Sequence, residues 1–324
     1  MRLPKEEGAI PMAAPILVFG HKNPDNDAVS AAIGYAYLKN ELARRDGIDA
    51  TYEACRLGAL PPETEWVISE RGLETPREIS SVAEGQQVIL VDHNEALQSA
   101  DGLDAAEIVE IVDHHRLGGL VTAQPLRFNA KPVGSTAAIV AREFEIEGVE
   151  MPESIAALLL SAMLTDTVIM KSPTTTDFDR KIIAATAASN GLDPVEYGMD
   201  IFKCRSNPAE LPVGKLVNAD AKEFELSNGN KVYIGQFETV DLKAVLGREA
   251  EIRESIKGLV AEKGYQFVLF FATDILAEGS QFICEGDTQF VSDVFGVNLN
   301  DGNSAWMPGV LSRKKQVAAP ILAH

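Results

Sequence analysis

Residues 14–27 read APILVFGHKNPDND. The apolar run APILVF predicts a short buried strand. At its C-terminal end stand His21, Asp25 and Asp27, in a chain that carries only five histidines. The next segment, DAVSAAIGYAYLKNELARR, repeats apolar residues at spacings of three and four and predicts a helix, with Asp27 near its N-cap. Strand, charged loop and helix make the first unit of a parallel α/β sheet. Such sheets place their ligand sites beyond the carboxyl ends of the strands. The loop is therefore either a plain turn or half of a metal site.

The alternation continues. TYEACRLG, QQVILVDHNE and EIVEIVDHH read as further strands, with a Pro- and Glu-rich helix after the first of them. GSTAAIVAREFEIEG starts a helix with Ser135 and Thr136 as caps. PESIAALLLSAMLTDT is a strongly apolar helix running into Asp166, and TTDFDRKIIAATAASNG is one more. CRSNPAELPVG, residues 204–214, breaks the pattern with two prolines. Beyond it DAKEFEL, KVYIGQFETV, YQFVLFFATDIL and SQFICEG read as strands of a mixed sheet, and 242–264 as one long amphipathic helix. The expected organisation is a disordered leader (1–14, with Met12 as an alternative start), a parallel-sheet domain (15–203), a linker (204–214) and a smaller mixed-sheet α/β domain (215–324).

Composition narrows the function. The formal net charge is −19, from 48 acidic and 29 basic residues. So acidic a chain disfavours nucleic acid and anionic membrane surfaces as partners. Cys55, Cys204 and Cys284 are scattered, with no CxxC spacing, which fits a reduced cytosol. The leader has no secretory apolar region and no run approaches a membrane span. The expectation is a soluble, cytoplasmic protein.

His21, His93, His114 and His115 all fall at strand C-termini near aspartates, while His324 ends the chain. A lone histidine of this kind is usually a polar loop or satisfied core residue. Four in one topological place ask for more. Asp25, Asp27, Asp92, Asp113 and Asp166 would repel one another in a single cleft unless cations joined them. Imidazole and carboxylate without thiolate suit Mn²⁺, Co²⁺ or Fe²⁺ better than structural zinc. Two such ions about 3.5–4 Å apart are a common device for phosphoryl transfer to water. The densest basic run, SRKKQ at 312–316, reads alone as a solvated tail; beside a cleft for phosphate, Arg313 offers a fork and Lys314 a point charge.

GHKNPDND, VDHNE, VDHH, LLSAMLTDT and SRKKQ, in that order, with KSPTTTD and DAKEF between them, resemble the family II (manganese-dependent) inorganic pyrophosphatases of the DHH phosphoesterase superfamily. The resemblance runs from about residue 15 to about residue 320. It implies an N-terminal parallel-sheet DHH domain and a C-terminal DHHA2-like domain, with the active site in the cleft between them. It implies hydrolysis of pyrophosphate to two orthophosphates by a water activated by two Mn²⁺ ions per subunit, with Co²⁺ as a possible substitute and Mg²⁺ accompanying the substrate. His21 and Asp25 would ligate one metal, Asp27 and His114 the other, and Asp92 and Asp166 would bridge or contact both. His115 would face the substrate phosphate. Asp113, and His93 less directly, would support the site from behind. Lys222, Arg313 and Lys314 would clamp pyrophosphate. A homodimer through the N-terminal domains is implied as well. Asp92 and His114 are only 22 residues apart, so the CBS insert of regulatory members is not expected.

Rival readings stay in view. A DHH exopolyphosphatase or oligonucleotide phosphodiesterase would share the metal chemistry, although no aromatic-plus-basic strip supports oligonucleotides. A non-catalytic metal- or phosphate-binding protein would hold phosphate without turnover. A nucleotide-binding α/β protein lacks both GxxxxGK[ST] and GxGxxG; the GST at 134–136 could set amides near phosphate but reads better as a cap.

Overall fold

The computed structural model describes residues 14–205, 207–299 and 302–324. The leader read over 1–14 lies outside them except for Ala14. The chain divides into two units between Ile201 and Phe202.

The first unit runs β1 (Ile16–Lys22), α1 (Asn26–Asp46), β2 (Tyr52–Leu57), α2 (Pro62–Glu70), β3 (Arg77–Glu78), β4 (Gln87–Val91), β5 (Glu107–Asp113), β6 (Arg127–Ala130), α3 (Thr136–Glu147), α4 (Glu153–Asp166), α5 (Asp177–Ser189) and α6 (Pro194–Arg205). Its six strands form one sheet in the order β3-β2-β1-β4-β5-β6, with every pair parallel. The parallel sheet expected from the sequence is present. The chain builds outward from β1 through β2 and β3, then returns to lay β4 on the other side. That reversal lies between β1 and β4, the point beyond whose carboxyl ends such sheets bind their ligands. His21 is the next-to-last residue of β1, Asp92 follows β4, and His114 follows β5.

Side-chain alternation packs Leu17 and Phe19 of β1 with Cys55, Leu57, Val88 and Leu90 on one face of the sheet. α4 is buried without interruption from Ile155 to Thr165, the pattern of a helix enclosed on all sides. α1 meets it closely: a Cβ at Gly34 would lie 2.8 Å from Leu159 Cδ2. A polar hub fixes the same junction. Asn26 Nδ2 donates to Ser161 Oγ (3.1 Å) and Thr165 Oγ1 (3.3 Å), while its Oδ1 accepts from Ser30 (3.2 Å) and Thr64 (3.0 Å).

One local expectation is refined and another corrected. Asp27 lies near the N-cap of α1, in its first turn, as expected, but it is not the cap itself. Asp25 is, accepting from Ala28 N at 2.9 Å, because the helix starts at Asn26, a buried polar residue that apolar periodicity does not count. The segment 242–264 is also two helices rather than one. Arg248 N bonds Val245 O at 3.0 Å, a tight turn that closes the first helix at Gly247 before the second begins.

The second unit comprises α7 (Val213–Val217), β7 (Asp220–Glu225), β8 (Lys231–Thr239), α8 (Leu242–Leu246), α9 (Glu249–Lys263), β9 (Phe267–Asp274), β10 (Gly279–Gly286), α10 (Thr288–Phe295), β11 (Ser304–Pro308), a π-helical turn at Arg313–Ala318, and α11 (Ala319–Ala323). The sheet order is β11-β10-β9-β8-β7. Only β8 and β9 pair in parallel, so the sheet is mixed, as expected. FVLFFATD of β9 lies at the centre, buried from Phe267 to Thr273. The short β3, β6 and β11, and the helices α6 and α10, were not legible in the sequence.

β1 reaches its charged end by packing against the first turn of α1 at Gly20. A Cβ there would stand 2.5 Å from Ala28 Cβ and 2.8 Å from its backbone. Gly20→Ala should therefore destabilise the unit by about 1–3 kcal/mol, the usual cost of overpacking. Urea unfolding of the metal-stripped protein measures this as a lower midpoint with unchanged slope.

Candidate metal centre

The end of β1, the first turn of α1, the turns after β4 and β5 and the last residue of α4 bring six of the sequence-predicted residues together. Ligand atoms of His21, Asp25 and Asp92 lie within 4.8 Å of one another, as do those of Asp27, His114 and Asp166. A third group, Asp92, His114 and His115, joins the first two. Donors are imidazole nitrogens and carboxylate oxygens throughout.

The histidines are oriented by carbonyls, which only accept. His21 Nδ1 lies 2.9 Å from Lys22 O and His114 Nδ1 lies 3.0 Å from Val133 O, so each Nδ1 carries the hydrogen. Each Nε2 then faces the carboxylates. For His21 it stands 3.6 Å from both Asp25 Oδ1 and Asp92 Oδ2; for His114 it stands 3.3 Å from Asp92 Oδ1 and 3.8 Å from Asp166 Oδ2. Histidines that ligate metals are commonly held this way, by a partner on the other nitrogen.

Asp92 is the centre. Its backbone is left-handed, with φ 59°, a conformation costly for a residue with a Cβ. Asp92 Oδ1 accepts from Thr136 Oγ1 at 2.9 Å, and Oδ2 is buried with no hydrogen-bond partner among the described residues. Asp27 is fully buried and accepts from Thr136 N (2.6 Å) and Ala137 N (2.9 Å) at the start of α3. Thr136 had been read only as a possible cap; Ser135 is the cap, accepting from Ala138 N. No local signal ties Thr136 to Asp27, 109 positions earlier.

Without cations the cluster is frustrated. Burial, then the charges of Asp92 and Asp25, push the Asp27 carboxyl well above the usual range against the pull of the Ala137 and Thr136 amides. Burial and the charges of Asp27, Asp92 and Asp25 do the same to Asp166. Burial works against protonated histidine, yet Asp25 and Asp92 raise His21 to about 11, and Asp92 raises His114 to about 9. Burial also opposes ionisation of Asp92, and the neighbouring His114 and His21 imidazoles outweigh it and hold its carboxyl low. Protonated imidazoles thus supply the positive charge that the carboxylates need. An orphaned Asp92 oxygen, mutually repelling aspartates and nitrogen–oxygen donors are what a divalent cation would satisfy.

His115 is half-exposed. Its Nδ1 lies 2.9 Å from Asp113 Oδ1, and that hydrogen bond raises its pKa. Asp113 is buried, also accepting from the backbone N–H of His114 (2.7 Å) and His115 (3.0 Å) and, on Oδ2, from Asn94 Nδ2 (2.5 Å). Asn94, which sequence reading passed over, thereby braces the turn that carries both histidines. His93 is engaged elsewhere, with Nδ1 to Val91 O (2.9 Å) and Nε2 to Ser99 Oγ (3.1 Å).

In the second unit, Arg313 NH2 pairs with Asp220 Oδ1 at 2.9 Å, while its Nε and NH1 are buried without a hydrogen-bond partner among the described residues. Asp220 and Lys222 sit two apart on β7 and so share a face. Arg313 N donates to Gln236 Oε1 at 3.0 Å, and Gln316 Oε1 accepts from Leu311 N and Ser312 N, which explains the glutamine of SRKKQ as a brace. Lys222 and Lys314 are exposed.

Comparison with known proteins agrees along the chain. The DHH family N-terminal domain matches residues 15–163, and the DHHA2 domain matches residues 199–324. A Bacillus licheniformis protein named "Probable manganese-dependent inorganic pyrophosphatase" is 42% identical over 308 residues, covering 94% of this chain and 97% of that one. A Methanocaldococcus jannaschii protein named "Manganese-dependent inorganic pyrophosphatase" is 39% identical over 313 residues, covering 94% and 97%. The crystal structure of a Methanococcus jannaschii "putative family II inorganic pyrophosphatase" superposes with a TM-score of 0.56 at 38% identity, covering 94% of this chain and 98% of that one. The chain belongs to the family II, manganese-dependent inorganic pyrophosphatases, enzymes of the DHH superfamily.

Proposed function

We propose that this chain hydrolyses inorganic pyrophosphate to two orthophosphates with two Mn²⁺ ions per subunit, Co²⁺ being an acceptable replacement and Mg²⁺ entering with the substrate. The observation that carries the reading is the sharing of Asp92 between ligand groups, with one oxygen toward His114 and the other, unpartnered, toward His21. His21, Asp25 and Asp92 would hold one cation, and Asp27, His114 and Asp166, again with Asp92, the other. Bound divalent cations supply Lewis acidity, acidifying a water and neutralising phosphoryl oxygens.

The chain's own residues do the rest. Asp113 keeps the proton on His115 Nδ1 and favours the imidazolium, so Nε2–H is available to donate to a phosphate oxygen. Arg313 presents two donors with no protein acceptor, suited to an anion, and Lys222 and Lys314 add point charges. A small, highly charged anion fits these few cations better than a polymer does, and the −19 charge supports a substrate that arrives with Mg²⁺. The proposed setting is a cytoplasmic homodimer formed through the N-terminal unit. Among the described residues no helix is long and apolar enough to cross a membrane.

Metal-stripped protein should release phosphate from pyrophosphate only when Mn²⁺ or Co²⁺ is restored in the presence of Mg²⁺. Turnover confined to tripolyphosphate or a short oligonucleotide would move the chain to another activity of the superfamily, and phosphate binding without turnover would make it a binding protein. Asp92→Ala should lower kcat by about 10³-fold or more, since cation charge stabilisation is worth several kcal/mol. Arg313→Ala should lower kcat/KM for pyrophosphate by about 10–100-fold, and Arg313→Lys should recover little of it, because a point charge does not reproduce the fork. Steady-state kinetics on circular-dichroism-matched variants checks both.

A further inference from the structure

We infer that Thr136 is a positioning residue of the metal centre: it holds Asp27 and Asp92 in register with each other, its amide on one carboxylate and its hydroxyl on the other. The inference rests on the reading above that these two aspartates take cations.

Thr136 is the first residue of α3, where a side chain commonly points to solvent and backbone amides lack intrahelical partners. Here Ser135 and Thr136 are fully buried. Ser135 already performs the capping, accepting from Ala138 N at 3.1 Å, so Thr136 is not needed for that task. Instead its N–H reaches Asp27 Oδ2 at 2.6 Å, the neighbouring Ala137 N–H reaches Asp27 Oδ1 at 2.9 Å, and its Oγ1 reaches Asp92 Oδ1 at 2.9 Å. The helix terminus and its partial positive charge thus meet a fully buried ligand aspartate.

The hydroxyl decides how Asp92 is presented. Its backbone is left-handed, and its carboxylate could rotate about the side-chain bonds. The Thr136 bond occupies Oδ1 and leaves Oδ2 the unpartnered oxygen, 3.6 Å from His21 Nε2. One lone pair of Oδ1 remains for the His114 side, where Nε2 stands at 3.3 Å. A single hydroxyl therefore distributes the two Asp92 oxygens between the two ligand groups. Val at 136 would keep the shape and the Asp27 amide contact while removing only this donor. Ser would keep the donor.

Mn²⁺ titration of the metal-stripped full chain by isothermal calorimetry and Mn²⁺ electron paramagnetic resonance tests the proposal, with urea unfolding of each metal-free variant alongside. Thr136→Val should bind Mn²⁺ about 10–100-fold more weakly than wild type, the usual effect of removing a partner behind a ligand, and alter the spin-coupled Mn²⁺ signal. Thr136→Ser should bind close to the wild-type value. Wild-type affinity in Thr136→Val, or an equal loss in Thr136→Ser, would overturn the proposal. Should Thr136→Val not fold, Thr136→Ala replaces it: weaker binding than Thr136→Ser supports the role, and equal binding refutes it. Absence of Mn²⁺ binding by the wild type itself would instead sink the metal reading on which the inference stands.

Discussion

Like-charge repulsion among Asp25, Asp27, Asp92 and Asp166 governs the first unit. Four carboxylates in one partly buried place cannot all ionise cheaply, and burial with mutual repulsion drives Asp27 and Asp166 toward the neutral acid. His21 and His114 offset this by taking protons, which makes the cluster self-consistent only as a mixture of acid, base and imidazolium. Divalent cations resolve the same conflict more completely, and the family to which the chain belongs is named for manganese. The arrangement is costly as a piece of protein and reasonable as a receptor.

Holding such a cluster requires a stiff frame. The parallel sheet supplies three adjacent strand ends, β1, β4 and β5, at the point where strand order reverses. Two stretches of unfavourable backbone stand beside it. Asp92 itself has φ 59°, and Val168, Ile169 and Met170, just beyond Asp166, have φ of 49°, 51° and 63°. Left-handed backbone at β-branched residues persists only where surroundings impose it. Ile169 is buried against Gly198 of α6, where a Cβ would come within 2.8 Å of its Cγ1. The loop after Asp166 is thus pinned rather than free.

The second unit solves a complementary problem. Its mixed sheet centres on the buried apolar strand β9, with Lys222 on β7 and Arg313 and Lys314 on the π-helical turn after β11. Asp220 satisfies only one nitrogen of Arg313, leaving two without protein acceptors. A half-buried guanidinium with two buried nitrogens so incompletely paired is poorly explained as a structural salt bridge, because unsatisfied donors carry a desolvation cost.

The sequence by itself determined the residue types and their strand-end placement. APILVF, QQVILV and EIVEIV are apolar enough to be buried strands, and each ends in histidine or aspartate, so the residues at those edges were legible from local pattern alone. Local pattern failed where long-range contact decides. β6 and β11 are only four and five residues long, and pair because neighbouring strands offer them an edge. Asp25 rather than Asp27 caps α1 because Asn26 is buried by Ser161, Thr165 and Thr64 from distant helices. Thr136 and Asn94 became visible only once folding carried them against Asp27, Asp92 and Asp113. Periodicity reports which face of an element turns inward; which oxygen of a carboxylate is left unpaired depends on donors far along the chain, and only the tertiary structure brings those within hydrogen-bond reach.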